Sequence, residues 1–237
     1  MKFVVKLFPE ITIKSWPVRN RLIWRLQSNL YIILQRIEPN IKVHGEWDFM
    51  HIECPPQARM HYAEIIEALG NTPGIAHVIE VQECCLKSLT QVLDLVEHTW
   101  SQRLIGKRFV VRVKRSGEHD FTPSQMEAFL GLGLLQRTQA LKVDLHNPEV
   151  TVNIEVKSDR VLVVERRIDG LGGYPQGSPE NVLSLISSGF DSTVASYLTI
   201  KRGAKTHFLF FNLGGAAHEA GVKQVAYYLW RKFGSAV

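Results

Sequence analysis

Cysteine is scarce in this sequence, with three residues in 237: Cys54, Cys84 and Cys85. So few thiols exclude a disulfide-stapled scaffold, and their spacing matches no zinc-ligand pattern. They read as structural or incidental residues of a chain kept in a reducing compartment, the cytoplasm. Long apolar runs are missing as well. No stretch of about 18 apolar residues occurs, which argues against a membrane span. Lys6 interrupts the apolar run at the start, and no small-residue cleavage site follows, unlike a signal peptide. Two common nucleotide motifs, GxxxxGK[ST] and GxGxxG, are absent. Acidic residues are missing locally. Ile11 to Ile37 holds Lys14, Arg19, Arg21, Arg25 and Arg36 with no acid, and Lys107 to Arg115 holds Lys107, Arg108, Arg112, Lys114 and Arg115 with none. The net charge of +5 favours an acidic partner such as nucleic acid, although two solvated basic faces satisfy the same counts.

What is present is a folding composition, 45% hydrophobic and 22% charged, in a chain long enough for one or two ordinary domains. Residues 1–80 read as β-α-β-β-α-β, a split βαβ or ferredoxin-like unit. Phe3, Val5 and Leu7 alternate with polar neighbours as in a half-buried strand. Pro17 suits the start of a helix whose stripe is Leu22, Leu26, Leu30, Ile33 and Ile37. Strands near Ile41–Val43 and Asp48–Glu53, a helix from Gln57 to Leu69 and a strand from Ile75 to Val81 complete the unit. Residues 81–165 read as a second α/β block. Its strand Phe109–Arg115 buries Phe109, Val111 and Val113 and offers Arg112 and Lys114 on the other face. A helix over Ser124–Gln136, with Ser124 as its N-cap, and a hairpin about Ser158-Asp159 follow. Residues 166–180 hold four glycines and two prolines and read as a linker. From Asn181 the order is β-loop-α-β-α, the opening of a parallel, doubly wound sheet.

Ser187-Ser188-Gly189-Phe190-Asp191-Ser192-Thr193 lies between the first strand and the first helix of that last segment. A helix N-terminus presents unpaired N–H groups and a positive dipole end, which suits phosphate. Gly189 lets the backbone approach an anion, and Ser187, Ser192 and Thr193 add hydroxyls. Asp191 repels phosphate directly, so its natural part is to hold a bridging Mg²⁺. A serine-rich helix cap is the plain alternative.

Ser-Ser-Gly-Phe-Asp-Ser resembles the SGGxDS pyrophosphate loop of ATP pyrophosphatases, with Ser188 in place of the first glycine. If that position needs a positive φ or close phosphate contact, serine weakens ATP binding. Four further segments narrow the resemblance to bacterial tRNA 4-thiouridine synthetase, the tRNA sulfurtransferase or ThiI family. They are Lys2–Phe3 with Lys6–Ser15, Val111–Phe121, Gly170–Gly177 and Phe210–Glu219. The resemblance covers essentially the whole chain. It implies an α/β (α+β) architecture: a ferredoxin-like domain over 1–80, an RNA-binding THUMP domain over 81–165, a linker over 166–180, and over 181–237 the start of a doubly wound PP-loop adenylation domain.

The family activates the O4 of uridine at tRNA position 8 with ATP and replaces it with persulfide sulfur donated by a cysteine desulfurase; sulfur transfer for thiamine thiazole synthesis is a further implied role. By resemblance Ser187, Ser188, Gly189, Phe190 and Ser192 surround the phosphates, and Asp191 is the catalytic, Mg²⁺-holding residue. Leu185, Ile186, Phe210 and Phe211 place strand-end backbone near adenosine, their side chains being core. Lys107, Arg108, Arg112, Lys114, Arg115, Arg166 and Arg167 are the tRNA contacts, with the acceptor region as partner. Tyr174 stacks on a base or, preferentially, packs the linker. His119 and His218 read as surface or capping residues rather than ligands. The resemblance implies a cytoplasmic protein without a membrane partner and admits a homodimer.

Two other readings stay open: a noncatalytic tRNA-binding fragment of such an enzyme, and an ATP pyrophosphatase of another substrate class. Only 57 residues, Asn181 to Val237, serve the third segment. Two parallel strands leave unpaired edges and an uncovered face, so this segment is expected to be the least stable unless something covers it, with the sulfur-carrying cysteine lying beyond Val237.

Overall fold

A computed structural model describes residues 1–47 and 49–236; the strand start expected at Asp48 and the chain position Val237 lie outside the described residues. The chain forms two compact units. One contains Phe3–Ile79 and the chain from Ile168 onward, and the other contains Glu80–Arg167 together with Lys2.

The first unit opens with β1 (Lys2–Leu7), α1 (Pro9–Thr12) and α2 (Trp16–Gln35). It continues with β2 (Lys42–Gly45), β3 (Phe49–Glu53), a 3-10 segment (Pro56–His61), α3 (Tyr62–Gly70) and β4 (Ile75–Cys85). Its strand order is β2-β3-β1-β4, with β2 and β3 antiparallel, the arrangement expected of the ferredoxin-like pattern. Three details differ from the sequence reading. Val4 is buried along with Phe3 and Val5, because β1 is a central strand rather than a half-exposed one. The buried stripe of α2 runs through Leu22, Leu26, Leu30 and Leu34, while Ile33 and Ile37 are only half-buried. The helix expected from Gln57 starts as a 3-10 turn behind Pro55 and Pro56, which lack the amide donors of a first turn.

The segment read as a linker is a packed strap. The preceding strand runs on through Arg166 and Arg167 to Asp169. Beyond it the Gly170 amide donates to the Ala76 carbonyl (2.9 Å) and the Gly172 amide to that of Ile75 (2.8 Å). Gly177 donates to the Gly203 carbonyl (2.7 Å). Tyr174 packs against the ferredoxin-like core, as preferred for it, with Lys14 Nζ and the Arg202 guanidinium 5.8 and 5.7 Å from its ring centre.

The strap leads to β9 (Val182–Leu185), α6 (Phe190–Lys201), β10 (Thr206–Leu209), α7 (Gly215–Leu229) and a closing π-helical turn (Trp230–Gly234). α6 begins at Phe190, directly behind Gly189, and α7 at Gly215. Strands β9 and β10 pair in parallel, Leu185 opposite Leu209. The ferredoxin-like part covers this segment. Buried Asn29 donates through Nδ2 to the Gln176 carbonyl (3.0 Å), and Arg36 donates to the Ser235 carbonyl (2.8 Å). Lys232 meets Glu67 at 3.3 Å and Arg202 meets Glu10 at 3.6 Å. The condition set by the sequence reading, that something cover the last segment, is met on that side.

The second unit contains α4 (Leu89–Leu104), β5 (Arg108–Ser116), α5 (Pro123–Arg137), β6 (Lys142–Val143), β7 (Val150–Lys157) and β8 (Arg160–Asp169). Its order is β4-β8-β7-β5-β6; β5 is parallel to β7, and β7 turns into β8 through Ser158-Asp159. Trp100, Phe109, Met126, Leu130 and Ile154 pack together between helices and sheet. The cap of α5 is Thr122, not Ser124. Gln125 N donates to Thr122 Oγ1 (3.2 Å) and Thr122 N to Gln125 Oε1 (2.7 Å), a reciprocal box that puts Pro123 at the first helical position.

β4 outlasts the expected Val81 and carries Glu83, Cys84 and Cys85. Cys54, Cys84 and Cys85 form no disulfide among the described residues, and burial pushes the Cys84 thiol upward, which fits the structural reading. Burial also raises the Glu83 carboxyl, but Lys2 Nζ (2.6 Å) and Arg160 (2.9 Å) outweigh it and hold it below the usual carboxylate range. Stability from a lowered carboxyl is present above its unfolded pKa and lost as pH falls through the folded one. Glu83→Gln is therefore expected to cost about 0.5–1 kcal/mol at neutral pH and to flatten the acid limb of urea midpoint against pH below about 4.3. An unchanged acid limb contradicts this.

Candidate functional site

The loop Ser187–Gly189 leaves the carboxyl end of β9 and enters α6 at Phe190, the strand-to-helix turn predicted. Gly189 is the N-cap residue, and no side chain caps this helix. The first amides of α6 have no intrahelical acceptor, so the dipole end stands open. Asp191 sits in the first turn and is exposed, with no ion-pair partner among the described residues. The hydroxyls of Ser187 and Ser192 are turned inward instead of out. Ser192 Oγ accepts from the Ser187 amide (3.0 Å) and shares a hydrogen bond with Ser187 Oγ (2.8 Å). Ser187 Oγ in turn accepts from the Gly189 amide (3.2 Å), and Thr193 Oγ1 donates to the Gly189 carbonyl (2.8 Å). These bonds occupy the Ser187 and Gly189 amides and fix the loop's shape, which leaves the Ser188 amide, the first amides of α6 and Asp191 as the outward chemistry.

Ser188 has no positive φ, and Gly189 sits at −82°, so the loop makes no demand for a left-handed residue at either place. The backbone half of the objection to Ser188 falls away. Ser188 is exposed and its Cβ lies 3.9 Å from where a Cβ on Gly221 of α7 would stand.

Leu185, Ile186, Phe210 and Phe211 come together at the ends of β9 and β10, where the Ile186 amide donates to the Leu209 carbonyl (2.9 Å). The expectation that all four side chains are core is corrected. Ile186 is buried and Phe210 half-buried, but Leu185 is 61% and Phe211 65% exposed. With Leu183 and Leu209 they form the uncovered sheet face that a two-stranded parallel sheet leaves. Phe190, at the helix start, is 90% exposed. His218 stacks edge-on against Phe210 (5.0 Å), and no cluster of three metal-ligating side chains occurs among the described residues. The carboxylate standing at the start of α6 is that of Asp191. The sequence reading missed Asn212 and Glu219, which hydrogen-bond across the loop after β10 (3.2 Å); only their place beside the Phe210-Phe211 pair could have flagged them.

The basic residues fall on the second unit. Arg112 and Lys114 emerge on the exposed face of β5, as alternation predicts. Lys114 is exposed with no partner among the described residues. The others are engaged. Lys107 and Arg108 meet Glu149 at 3.3 and 3.4 Å, and Arg108 also meets Asp144 at 3.7 Å. The backbone amide of Arg108 and the Lys107 ammonium hold Glu149 below its usual range; the amides of Asn147 and His146, then Lys142, do so for Asp144. Arg112 donates to the Leu145 carbonyl (3.2 Å) and lies 3.8 Å from Glu127. Arg115 ties the His119 (3.3 Å) and Phe121 carbonyls. Arg166 and Arg167 are exposed, and as neighbours in a strand they point to opposite faces instead of forming one contact. His119 Nε2 is 2.6 Å from the Ser158 carbonyl, a turn-holding contact.

Comparison with known proteins completes the picture. Residues 2–78 match the ThiI ferredoxin-like domain, residues 87–164 the THUMP domain, and residues 177–237 the family described as thiamine biosynthesis protein (ThiI). The chain belongs to the ThiI family. Among curated ThiI relatives, a tRNA sulfurtransferase of Saccharophagus degradans is 47% identical over 235 residues, and one of Shewanella oneidensis is 48% identical over 234. Each alignment takes in 99% of this chain but 49% and 48% of the relative, so the chain spans about half the length of these proteins. Two solved structures share the fold. A 4-thiouridine synthetase crystallised with RNA and ATP has a TM-score of 0.82 at 22% identity, over 100% of this chain and 59% of that one. A Pyrococcus horikoshii protein has 0.83 at 20%, over 99% and 76%. No helix among the described residues is long and apolar enough to cross a membrane.

Proposed function

We propose that this chain provides the RNA-binding and ATP-loop portion of a tRNA sulfurtransferase that makes 4-thiouridine at tRNA position 8. The reading assigns RNA binding to 1–80 and 81–165, connection to 166–180 and adenylation to 181–237. What carries it is the ordered succession of three ThiI-family segments ending on an uncapped helix N-terminus at a strand-to-helix turn. ATP supplies the adenylyl group that activates the uridine O4. The unengaged amides of Ser188, Phe190 and Asp191 would bind its phosphates, Asp191 would hold Mg²⁺, and the internal Ser187–Ser192 bonds keep the loop in shape. The ends of β9 and β10, at Leu185-Ile186 and Phe210-Phe211, offer backbone and exposed apolar surface to the adenosine, the usual ligand position in an open α/β sheet. Sulfur then comes as a persulfide from a cysteine desulfurase partner, in the cytoplasm; a homodimer and a role in thiamine thiazole synthesis belong to the same reading.

Folded RNA is gripped largely by shape and backbone, and a basic strand face suits that work. Lys114 is the most available cation of this face, being free of acids, whereas Lys107 and Arg108 must give up Glu149. Lys114→Ala is expected to weaken tRNA binding and reduce the slope of log K against log salt by about 0.7–0.9. Filter binding of tRNA over a salt series checks this, and an unchanged slope removes Lys114 from the interface.

A further inference from the structure

Three of the chain's five tryptophans line one open groove on the ferredoxin-like part, and none of them serves the core. Trp16 and Trp24 come from α2, Trp47 from the turn between β2 and β3, and they are 61%, 65% and 58% exposed. The groove has a volume of about 320 Å³ and is floored by Ile23 and Gln27. Gln27 Nε2 donates to the Val43 carbonyl (3.0 Å), which pins the hairpin against the helix. The Arg19 guanidinium lies 3.4 Å from the centre of the Trp47 ring and donates to the Thr12 carbonyl (3.1 Å), so the stacked pair is held from behind. The packing of α2 is done by Leu22, Leu26, Leu30 and Leu34, with Ile23 at the border of the groove, so folding does not explain the exposed tryptophans.

Charge selects the occupant. Residues 11–37 contain no acid, and Arg21 and Arg25 are exposed with no partner among the described residues. One carboxylate, Glu46, borders the groove. Indole faces beside a stacked guanidinium, on a helix whose exposed side carries further arginines, form a surface on which unpaired nucleobases stack while phosphates pair with arginine. We infer that this groove is a stacking platform for unpaired nucleotides of the bound RNA, distinct from the basic face of β5. The inference rests on the RNA-binding reading above and adds the class of nucleotide and the site that takes it.

The test uses the whole chain and two RNA probes, a blunt hairpin and the same hairpin with a short single-stranded tail. Wild type is expected to bind the tailed probe more tightly, with quenching of tryptophan fluorescence. Trp24→Ala/Trp47→Ala is expected to lose about tenfold in affinity for the tailed probe per stacked base and to keep its affinity for the blunt one, which also shows that it folds. Trp24→Phe/Trp47→Phe is expected to retain most of the tailed-probe affinity. Unchanged affinity of the alanine variant for the tailed probe overturns the platform and leaves the groove to a protein partner. Equal loss on both probes overturns it as well, since the groove then does not distinguish unpaired bases. Failure of wild type to bind either probe sinks the RNA-binding reading itself.

Discussion

Gly173→Ala is expected to destabilise the first compact unit by about 2–5 kcal/mol. Two costs combine. Gly173 has φ +76°, a region that costs an L-residue roughly 1–2 kcal/mol. A Cβ there also overlaps the Lys201 carbonyl oxygen, which is helix backbone and cannot swing aside. Overpacking of this kind costs about 1–3 kcal/mol. Gly106→Ala supplies the contrast: its φ is +66°, but a Cβ meets nothing within 4 Å, so only the conformational cost of about 1–2 kcal/mol applies. Urea unfolding of the two variants separates the terms. Equal losses show that the strap is as loose as a linker.

Asp191→Ala is expected to weaken Mg²⁺-dependent ATP binding by about a hundredfold in a full-length protein carrying this chain, while leaving tRNA affinity unchanged. In the proposed reading this exposed carboxylate in the first turn of α6 would hold the cation against the phosphates. Removing it leaves the amides and the dipole, which bind phosphate without the metal, so ATP binding in the absence of Mg²⁺ should change little. Titration of nucleotide with and without Mg²⁺ reads this directly. Parallel loss of ATP and tRNA binding points to misfolding, and undiminished Mg²⁺-dependent binding removes Asp191 from the role.

Local periodicity made much of the fold legible. The alternation in β5 and the three-and-four spacing on α2 placed buried faces almost correctly, and the strand-to-helix turn at Ser187–Asp191 could be located because apolar strand and polar loop differ sharply. What failed was what only tertiary contact decides. Glycine and proline between 166 and 180 look the same in a flexible linker and in a strap whose positive-φ turns fit between two layers of backbone. The capping of α5 by Thr122 was written in the sequence as Thr-Pro-Ser-Gln, but the serine nearer the apolar run drew the assignment. Leu185 and Phe211 look like core residues because nothing in a strand's composition tells how many strands lie beside it. The tryptophan groove was invisible for another reason: Trp24 and Trp47 are 23 positions apart, and only the hairpin's return against α2 brings them to one surface.

The whole account turns on whether this chain supports ATP-dependent thiolation of tRNA when joined to the half that its relatives carry. The direct measurement grafts residues 1–237 onto the remaining half of the Shewanella oneidensis relative and follows 4-thiouridine formation in tRNA with ATP, Mg²⁺ and a persulfide donor. The account predicts 4-thiouridine at position 8, dependent on ATP and abolished by Asp191→Ala. A chimera that folds and binds tRNA yet forms no 4-thiouridine contradicts it.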